Sequence, residues 1–138
     1  MNKIVIDTNV LISALRSSRG ASFKLLSLVG TGRFEICLSV PLLLEYEMVC
    51  KRQKFNYITD SDIDDLLDYL CKVADNRSIF YLWRPFLRDP KDDMILELAV
   101  ESHSKCVITY NLNDFNGIEE FGIQPMNPQE YLKKIGEL

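Results

Sequence analysis

Acidic residues that follow or interrupt apolar runs are the part of this sequence best suited to chemistry. In the stretch KIVIDTNVLISAL, which begins at Lys3, Asp7 directly follows a β-branched apolar run with the character of a buried strand. An ionised carboxylate that leaves water loses several kcal/mol unless a partner compensates it. One interpretation is that Asp7 or Asn9 caps the helix that follows. The other is that Asp7 ends a central strand and that its compensating partner belongs to the function.

A second acid, Glu45, lies on the apolar side of a predicted helix. The segment SVPLLLEYEMVCKR opens with Ser39, a typical N-cap, and each helical residue turns the chain by about 100°, which directs Glu45 inward. Its neighbours on that side are Leu42, Met48 and Val49. Glu47 falls on the opposite side, where it can pair with Lys51. The alternative for Glu45 is a buried acid that only backbone groups satisfy.

The acids of the segment RDPKDDMILELAVES separate by helical phase. Asp89 followed by a proline marks a helix start. The predicted helix buries four apolar residues, Ile95, Leu96, Leu98 and Ala99. On this helix Asp92 projects with the buried side, whereas Asp93 projects with Glu97 and Glu101 into solvent, so Asp92 is the predicted inward acid. The alternative, that both are first-turn acids favoured by the helix dipole, fits Asp93 better than Asp92.

Polar residues also follow the apolar run KCVIT. Thr109, Asn111 and Asp114 occupy the loop after it, at the end of another predicted strand. In a parallel α/β sheet the carboxyl ends of the strands gather at one edge, where ligands bind, so these residues are expected near Asp7. An equal alternative is that Asp114 caps the turn around DFNG.

Three or four inward carboxylates cannot all remain ionised near one another in an apolar setting without a cation. Oxygen ligands without histidine or cysteine favour Mg²⁺ or Mn²⁺, and Mg²⁺ usually keeps waters and takes further ligands from substrate phosphate. The chain has one histidine, His103, and its four cysteines form no C-x-x-C pair, so neither a zinc site nor a disulfide framework is indicated. The predicted metal ligands are Asp7, Glu45 and Asp92, with Asp114 as a fourth acid.

These residues need a parallel sheet to bring them together, and the order of elements predicts one. Apolar runs of strand length alternate with helically periodic segments, which is typical of βαβ units. The runs are KIVID, FEICLS, IFYLW, KCVITY and GIQPM. In the helix TDSDIDDLLDYLCKVAD an apolar stripe leaves the aspartates in solvent. With 138 residues, 47% of them hydrophobic and 26% charged, we expect an α/β protein with a single domain over residues 1–138.

Charge and hydropathy exclude several classes of protein. A net charge of -4 argues against coating nucleic acid by charge alone, although it allows an enzyme that holds phosphates through metal ions. The N-terminus lacks the pattern of a signal peptide, and no apolar segment reaches membrane-spanning length. We therefore expect a cytoplasmic protein without membrane contact, whose cysteines stay reduced.

Four motifs in this order, IDTNVLISAL, SVPLLLEYEMV, RDPKDDMILELAV and VITYNLNDF, resemble the PIN-domain family over nearly the whole chain. The likeness is greatest to the prokaryotic toxin components of toxin-antitoxin pairs, relatives of the VapC-type ribonuclease toxins. The resemblance implies a three-layer α/β/α fold with a central, mostly parallel sheet. It also implies an endoribonuclease that depends on Mg²⁺ or Mn²⁺, is held inactive by a cognate antitoxin protein and is often a homodimer.

Carried over by position, the acids of the family fall on Asp7, Glu45 and Asp92. Thr8 and Asn9 belong to the polar signature around the first acid. The family often has an aspartate shortly after the strand threonine, here Thr109. In this chain that position is Asn111 and the nearest acid is Asp114, a departure that bears on a second metal ion.

The predicted reaction is hydrolysis of an RNA phosphodiester by a water that the metal ion activates and orients. The residues expected to position metal ligands, water or phosphate are Thr8, Asn9, Thr109 and Asn111. Positive charge for gripping the substrate is available in the stretch CKRQK and at Arg84, Arg88 and Lys91. Solvated surface charge is the alternative for each of these cations.

Two rival interpretations remain open. An aspartate-nucleophile phosphatase also begins with an aspartate at the end of its first strand, but it needs a second acid two residues later, where this chain has Asn9. The other rival is a catalytically impaired PIN scaffold that acts as a protein or RNA interaction module, with Asn111 as the sign of a lost acid. Metal binding by the purified protein discriminates between this scaffold and an enzyme.

Overall fold

The computed structural model describes all 138 residues, Met1–Leu138, and centres on a five-stranded parallel sheet. Its strands are β1 (Lys3–Ile6), β2 (Glu35–Leu38), β3 (Asp75–Asn76), β4 (Cys106–Ile108) and β5 (Gln124–Met126). The strand order is β3-β2-β1-β4-β5, and every neighbouring pair runs parallel. The first strand is therefore central, with two strands on each side. The predicted α/β fold with a parallel sheet is confirmed.

Six α-helices connect and flank the strands. They are α1 (Thr8–Arg16), α2 (Ala21–Ser27), α3 (Val40–Arg52), α4 (Asp60–Val73), α5 (Asp93–Glu101) and α6 (Pro128–Lys134). The chain moves outward from β1 to β3 and then crosses back to β4. Because crossovers between parallel strands are right-handed, the helices between β1 and β3 cover one face of the sheet and α5 covers the other. None of the helices has both the length and the apolar character needed to cross a bilayer.

The central strands are apolar throughout because they are buried on both faces of the sheet. Ile4 of β1 and Val107 of β4 have no exposed surface, and they belong to one hydrophobic cluster that also includes residues of the helices. The first polar side chains after these strands are Asp7 and Thr109, each one residue beyond the end of its strand. The parallel pairing of β1 with β4 brings these two strand ends to the same edge of the sheet.

Side-chain caps fix where the helices begin. The hydroxyl of Ser39 accepts a hydrogen bond from the N–H of Leu42 at 3.4 Å, as predicted for the start of α3. Thr59 and Asp62 form a reciprocal capping box at the start of α4. The predicted apolar stripe of α4 faces the core, and its aspartates are exposed at positions Asp62, Asp64, Asp65 and Asp68.

The apolar run IFYLW does not form a strand, and that prediction is wrong. The third strand is instead the two-residue segment Asp75–Asn76, which pairs with Cys37 and Leu38 of β2. One further hydrogen bond runs from the N–H of Arg77 to the carbonyl of Leu38, at 2.8 Å, before the chain leaves the sheet. Three residues of the run are exposed, namely Phe80, Tyr81 and Leu82. Aromatic and β-branched composition favours a strand only where a neighbouring strand offers partners for the backbone.

The side chain of Asp93 binds the backbone of the segment that follows this run. The prediction that this side chain faces solvent is therefore wrong. It is 1% exposed, and its Oδ1 accepts hydrogen bonds from the N–H groups of Phe86 at 3.3 Å and Leu87 at 2.9 Å. Asp93 and Glu97 share one side of α5, as their helical phase predicts. That side does not face solvent, because residues 79–88 cover it.

Glu97 has the same structural role one turn later and is also buried rather than solvated. It is 2% exposed, accepts a hydrogen bond from the N–H of Trp83 at 2.9 Å and forms an ion pair with the guanidinium of Arg84 at 2.5 Å. A buried carboxylate is stable when its oxygens are fully hydrogen-bonded and its charge is paired. Both acids therefore attach the irregular segment 79–88 to α5.

Replacing Asp93 with alanine is expected to lower the free energy of unfolding by about 2–4 kcal/mol, because two backbone N–H groups lose their acceptor. Asp65→Ala, on the exposed face of α4, is the control and should change it by less than about 0.5 kcal/mol. Urea denaturation followed by circular dichroism measures both values. Equal stability of the two variants would contradict the structural role of Asp93.

Candidate active site

Asp7 lies at the carboxyl end of β1 and is 7% exposed. Its N–H donates to the carbonyl of Ile108 at 2.8 Å, which extends the pairing of β1 with β4. Its side chain caps α1, since Oδ1 accepts the N–H of Thr8 at 2.8 Å. Its Oδ2 accepts hydrogen bonds from the hydroxyl of Thr109 at 2.8 Å and from the amide of Asn9 at 3.3 Å. Asp7 is thus a helix cap and also the centre of a polar cluster.

Asn9 and Thr109 join the ends of β1 and β4. The amide nitrogen of Asn9 lies 3.4 Å from the hydroxyl of Thr109, and its Oδ1 accepts the N–H of Tyr110 at 3.3 Å. Thr109 is completely buried, and its hydroxyl also accepts the N–H of Asn111 at 3.0 Å. These bonds hold the Asp7 carboxylate and the loop after β4 in one arrangement.

Glu45 reaches the same cluster from α3. It is half-buried, and its Oε2 accepts a hydrogen bond from the hydroxyl of Thr8 at 2.5 Å. The buried residues of α3 are Leu42, Tyr46 and Cys50. Met48, predicted to share the inward side with Glu45, is 55% exposed. Glu45 therefore lies at the border of the buried face rather than in its middle, which leaves its carboxylate accessible to a ligand.

Tyr46 supports this position of Glu45 and was not singled out from the sequence. It is 2% exposed, and its hydroxyl donates to the carbonyl of Ile6, the residue before Asp7. This bond fastens α3 to the end of β1. The available signal was a tyrosine in a helix that packs on the core, because a buried phenol needs a hydrogen-bond partner.

Glu47 turns away from the cluster, as the helical phase predicted. Its carboxylate pairs with Lys51 at 3.0 Å, and Lys51 also pairs with Asp64 of α4 at 2.6 Å. One of the cations in the stretch CKRQK is therefore engaged between two helices.

Asp92 ends a short 3-10 helix, Pro90–Asp92, that leads into α5, and it is half-buried. Burial and nearby negative charges together raise the pKa of its carboxyl from the usual 3.8 to about 7, and burial is the larger cause. These charges are those of Asp7, Asp89, Asp114 and Glu45. The carboxylate of Asp92 thus belongs to the cluster around Asp7, whereas Asp93 turns toward residues 79–88.

Asp114 approaches the cluster from the loop after β4. It lies half-buried in the 3-10 helix Leu112–Phe115, and its charge helps to raise the pKa of both Asp7 and Asp92. The N–H of Gly117, in the turn DFNG, donates to the carboxylate of Glu119 at 3.1 Å rather than to Asp114, so the alternative that Asp114 caps this turn gains no support. Asn111, one turn earlier, is exposed.

The four acids Asp7, Glu45, Asp92 and Asp114 form a negative cluster in which none has an ion-pair partner. The pKa of Asp7 is raised to about 6, and burial is the largest cause. Hydrogen bonds from Thr109 and Thr8 act in the opposite direction, and the charges of Glu45 and Asp114 add to the increase. Excess negative charge beside an apolar core favours the binding of a cation.

The oxygen ligands of this cluster fit a hard divalent cation such as Mg²⁺ or Mn²⁺. As the side chains lie, no three His, Cys, Asp or Glu residues are arranged to enclose one ion. Mg²⁺ commonly binds through one or two carboxylates and keeps several waters, so simultaneous contact with all four acids is not required.

The three cations expected to grip the substrate differ in their surroundings. Arg84 is engaged with Glu97 through hydrogen bonds of 2.9 and 2.5 Å, although half of its side chain remains exposed. Arg88 and Lys91 are exposed. A groove of about 530 Å³ beside Glu45 is lined by Arg84 and Lys91 together with Pro41, Leu44, Met48 and Met94.

Comparison with models of known protein families identifies one that matches most of this chain. The PIN domain model matches residues 3–113. No curated protein sequence gives a significant match. A crystal structure of VapBC2 from Rickettsia felis, bound to a DNA fragment from their promoter, has a TM-score of 0.62 and 15% identity, over 91% of this chain and 98% of that chain.

Two further solved structures have the same fold. FitAcB from Neisseria gonorrhoeae has a TM-score of 0.62 and 14% identity, over 91% of this chain and 98% of that chain. FitAB bound to the IR36 DNA fragment has a TM-score of 0.59 and 15% identity, over 91% of this chain and 94% of that chain. At such identities the likeness is one of fold.

The raised pKa of Asp7 predicts a pH-dependent stability. Its usual value is 3.8 and its value in the folded protein is about 6, so the folded state binds the proton more tightly. The contribution to the free energy of unfolding is therefore complete below pH 4 and is lost as the pH rises through 6, by at most about 1.4 kcal/mol per pH unit. In EDTA, Asp7→Asn should show a shallower decrease than the wild type between pH 4.5 and 7. Parallel stability curves from urea denaturation would contradict the assignment.

Proposed function

The chain belongs to the PIN-domain family, and from this premise we propose that it is a metal-dependent endoribonuclease that hydrolyses RNA phosphodiester bonds. Members of the family are generally nucleases, and the proposal adds RNA as the substrate and Mg²⁺ or Mn²⁺ as the cofactor. The observation that carries it is the convergence of four acids without a paired cation at the carboxyl ends of β1 and β4. They are Asp7, Glu45, Asp92 and Asp114.

A divalent cation bound here would lower the pKa of a water and offset the charge that develops on the phosphate. Asp7, Glu45 and Asp92 are the proposed ligands, and Asp114 or Asn111 would act through a second ion or a water. The hydrogen bonds already present suit this role, because they fix the ligands before the substrate arrives. Thr109 orients the carboxylate of Asp7, and Thr8 orients that of Glu45.

The proposed biological role is that of the toxin in a toxin-antitoxin pair, acting on RNA in the cytoplasm and neutralised by a cognate antitoxin protein. Support comes from the likeness of the fold to the structures of VapBC2 and of FitAB. The sequence resemblance to VapC-type toxins extends the proposal to a homodimer.

A second candidate is a catalytically impaired scaffold that binds protein or RNA. One observation favours it, since Asn111 stands where the family often has an acid, and its side chain is exposed. Asp114 lies near enough to Asp7 and Asp92 to influence their pKa values and so offers a carboxylate in its place.

The purified protein is expected to cleave single-stranded RNA in Mg²⁺ or Mn²⁺ and to be inactive in EDTA. Asp7→Asn, Glu45→Gln and Asp92→Asn should each lower kcat/KM by roughly 100-fold or more, because each removes a charged ligand. Glu47→Gln is the matched control, because it changes the same residue type in the same helix on the side away from the cluster. Similar losses for Glu45→Gln and Glu47→Gln would show that the assignment of α3 is wrong.

Calorimetric titration with Mn²⁺ separates the enzyme from the scaffold. The enzyme is expected to bind the ion, and Asp7→Asn should weaken the binding, while Glu47→Gln should leave it unchanged. A wild-type protein that neither binds Mn²⁺ nor cleaves RNA would favour the scaffold.

Induced expression of the wild-type chain in a bacterial host is expected to slow growth through loss of RNA. Asp7→Asn at equal soluble expression should permit normal growth, because the fold is retained while the proposed metal ligand is lost. Growth curves with matched immunoblots measure this difference. Equal growth inhibition by both proteins would contradict an RNA-cleaving toxin.

A further inference from the structure

Tyr110 is a half-exposed aromatic residue at the rim of the carboxylate cluster, and the proposed reaction gives it no role. It directly follows Thr109 at the end of β4, and 47% of its surface is exposed. Its N–H donates to the Oδ1 of Asn9 at 3.3 Å, and the amide of Asn9 donates to the carboxylate of Asp7 at 3.3 Å. The side chain of Asn9 thus fixes the backbone of Tyr110 relative to Asp7.

The hydroxyl of Tyr110 already has a protein partner. It forms a hydrogen bond with the hydroxyl of Ser22 in the first turn of α2, and Ser22 is 1% exposed. Because the phenol oxygen is engaged, the exposed part of the ring is what the side chain has left to offer a ligand. The side chain is anchored at both ends, so binding to the ring orders little that was free before.

We propose that the exposed face of Tyr110 stacks on a nucleobase of a single-stranded RNA, beside the phosphate that reacts at the carboxylate cluster. This inference rests on the proposed function and deepens it by naming a residue that contacts a base of the substrate. Bases in single-stranded RNA are free to stack on aromatic side chains, whereas those in a duplex are covered by their neighbours.

The charge of the protein makes such a contact useful. The chain has a net charge of -4, and the four acids of the cluster repel phosphate until a cation is bound. Arg84, one of the two cations that line the groove with Glu45, is paired with Glu97. Stacking on Tyr110 supplies affinity that does not depend on positive charge.

The chain contains a matched control for this ring. Tyr69 of α4 is 45% exposed, and its hydroxyl donates to the carbonyl of Val29 at 3.1 Å. It contacts the connection between α2 and β2 rather than the cluster. The effect on cleavage of removing a half-exposed ring with a hydrogen-bonded hydroxyl can therefore be measured at two places in the same protein.

The first test measures cleavage of a short fluorescent single-stranded oligoribonucleotide in Mn²⁺. Tyr110→Leu is expected to raise KM by about 5- to 150-fold, which corresponds to the loss of one base–aromatic stack, with kcat changed by less than about threefold. Tyr110→Trp should retain the wild-type KM because it keeps a π face, and Tyr69→Leu should have no effect. An unchanged KM in Tyr110→Leu, or an equal increase in Tyr69→Leu, would overturn the inference.

The second test identifies the base by removing it. Oligoribonucleotides with a single abasic nucleotide at successive positions around the scissile bond are compared on the wild type and on Tyr110→Leu. At one position the abasic substrate should raise the wild-type KM by the same factor as the variant does, and it should raise the KM of the variant no further. If the two effects multiply at every position, the ring contacts no base and the inference is wrong.

Failure of this inference can be distinguished from failure of the proposed function. If the wild type cleaves RNA and Tyr110→Leu behaves like it, the stacking inference is wrong and the proposed function stands. If the wild type cleaves no RNA, the proposed function fails, and the same variants and abasic series are measured by fluorescence anisotropy of RNA binding in Mn²⁺. Weaker binding by Tyr110→Leu alone supports the contact, while equal or absent binding overturns it.

Discussion

The burial of one carboxylate at the end of the central strand is the constraint on which the rest of the site depends. Asp7 follows a strand that has no exposed surface at its centre, so every oxygen of its side chain needs a partner. The backbone of Thr8 and the side chains of Thr109 and Asn9 provide hydrogen bonds to it. These partners come from α1 and from the end of β4, which is why parallel pairing of β1 with β4 is needed for the site to exist.

Two classes of buried or half-buried acid can be distinguished in this protein by how their charge is satisfied. Glu97 has an arginine and a backbone N–H as partners, and Asp93 has two backbone N–H groups, so both serve the fold. Asp7 and Asp92 lie among other acids and have no ion-pair partner, and burial raises the pKa of each. Acids that the protein leaves without charge compensation are the ones positioned to bind an ion.

The site is assembled from elements that are far apart in the chain, and the core sets their relative positions. Tyr46 fastens α3 to the end of β1, which fixes Glu45 relative to Asp7. Asp93 attaches the preceding segment to α5, and α5 follows directly on the turn that carries Asp92. Packing residues next to the proposed metal ligands thus control the geometry of the cluster, although they belong to the core themselves.

The sequence by itself determined the parallel α/β fold, the place of Asp7 at a strand end and the opposite directions of Glu45 and Glu47. These features follow from local periodicity, since a helix or strand fixes the relative directions of its own side chains. Only the tertiary structure decided that the run IFYLW leaves the sheet and that Asp93 is buried under residues 79–88. Helical phase gives the direction of a side chain, but what lies in that direction depends on segments distant in the chain, which no local pattern contains.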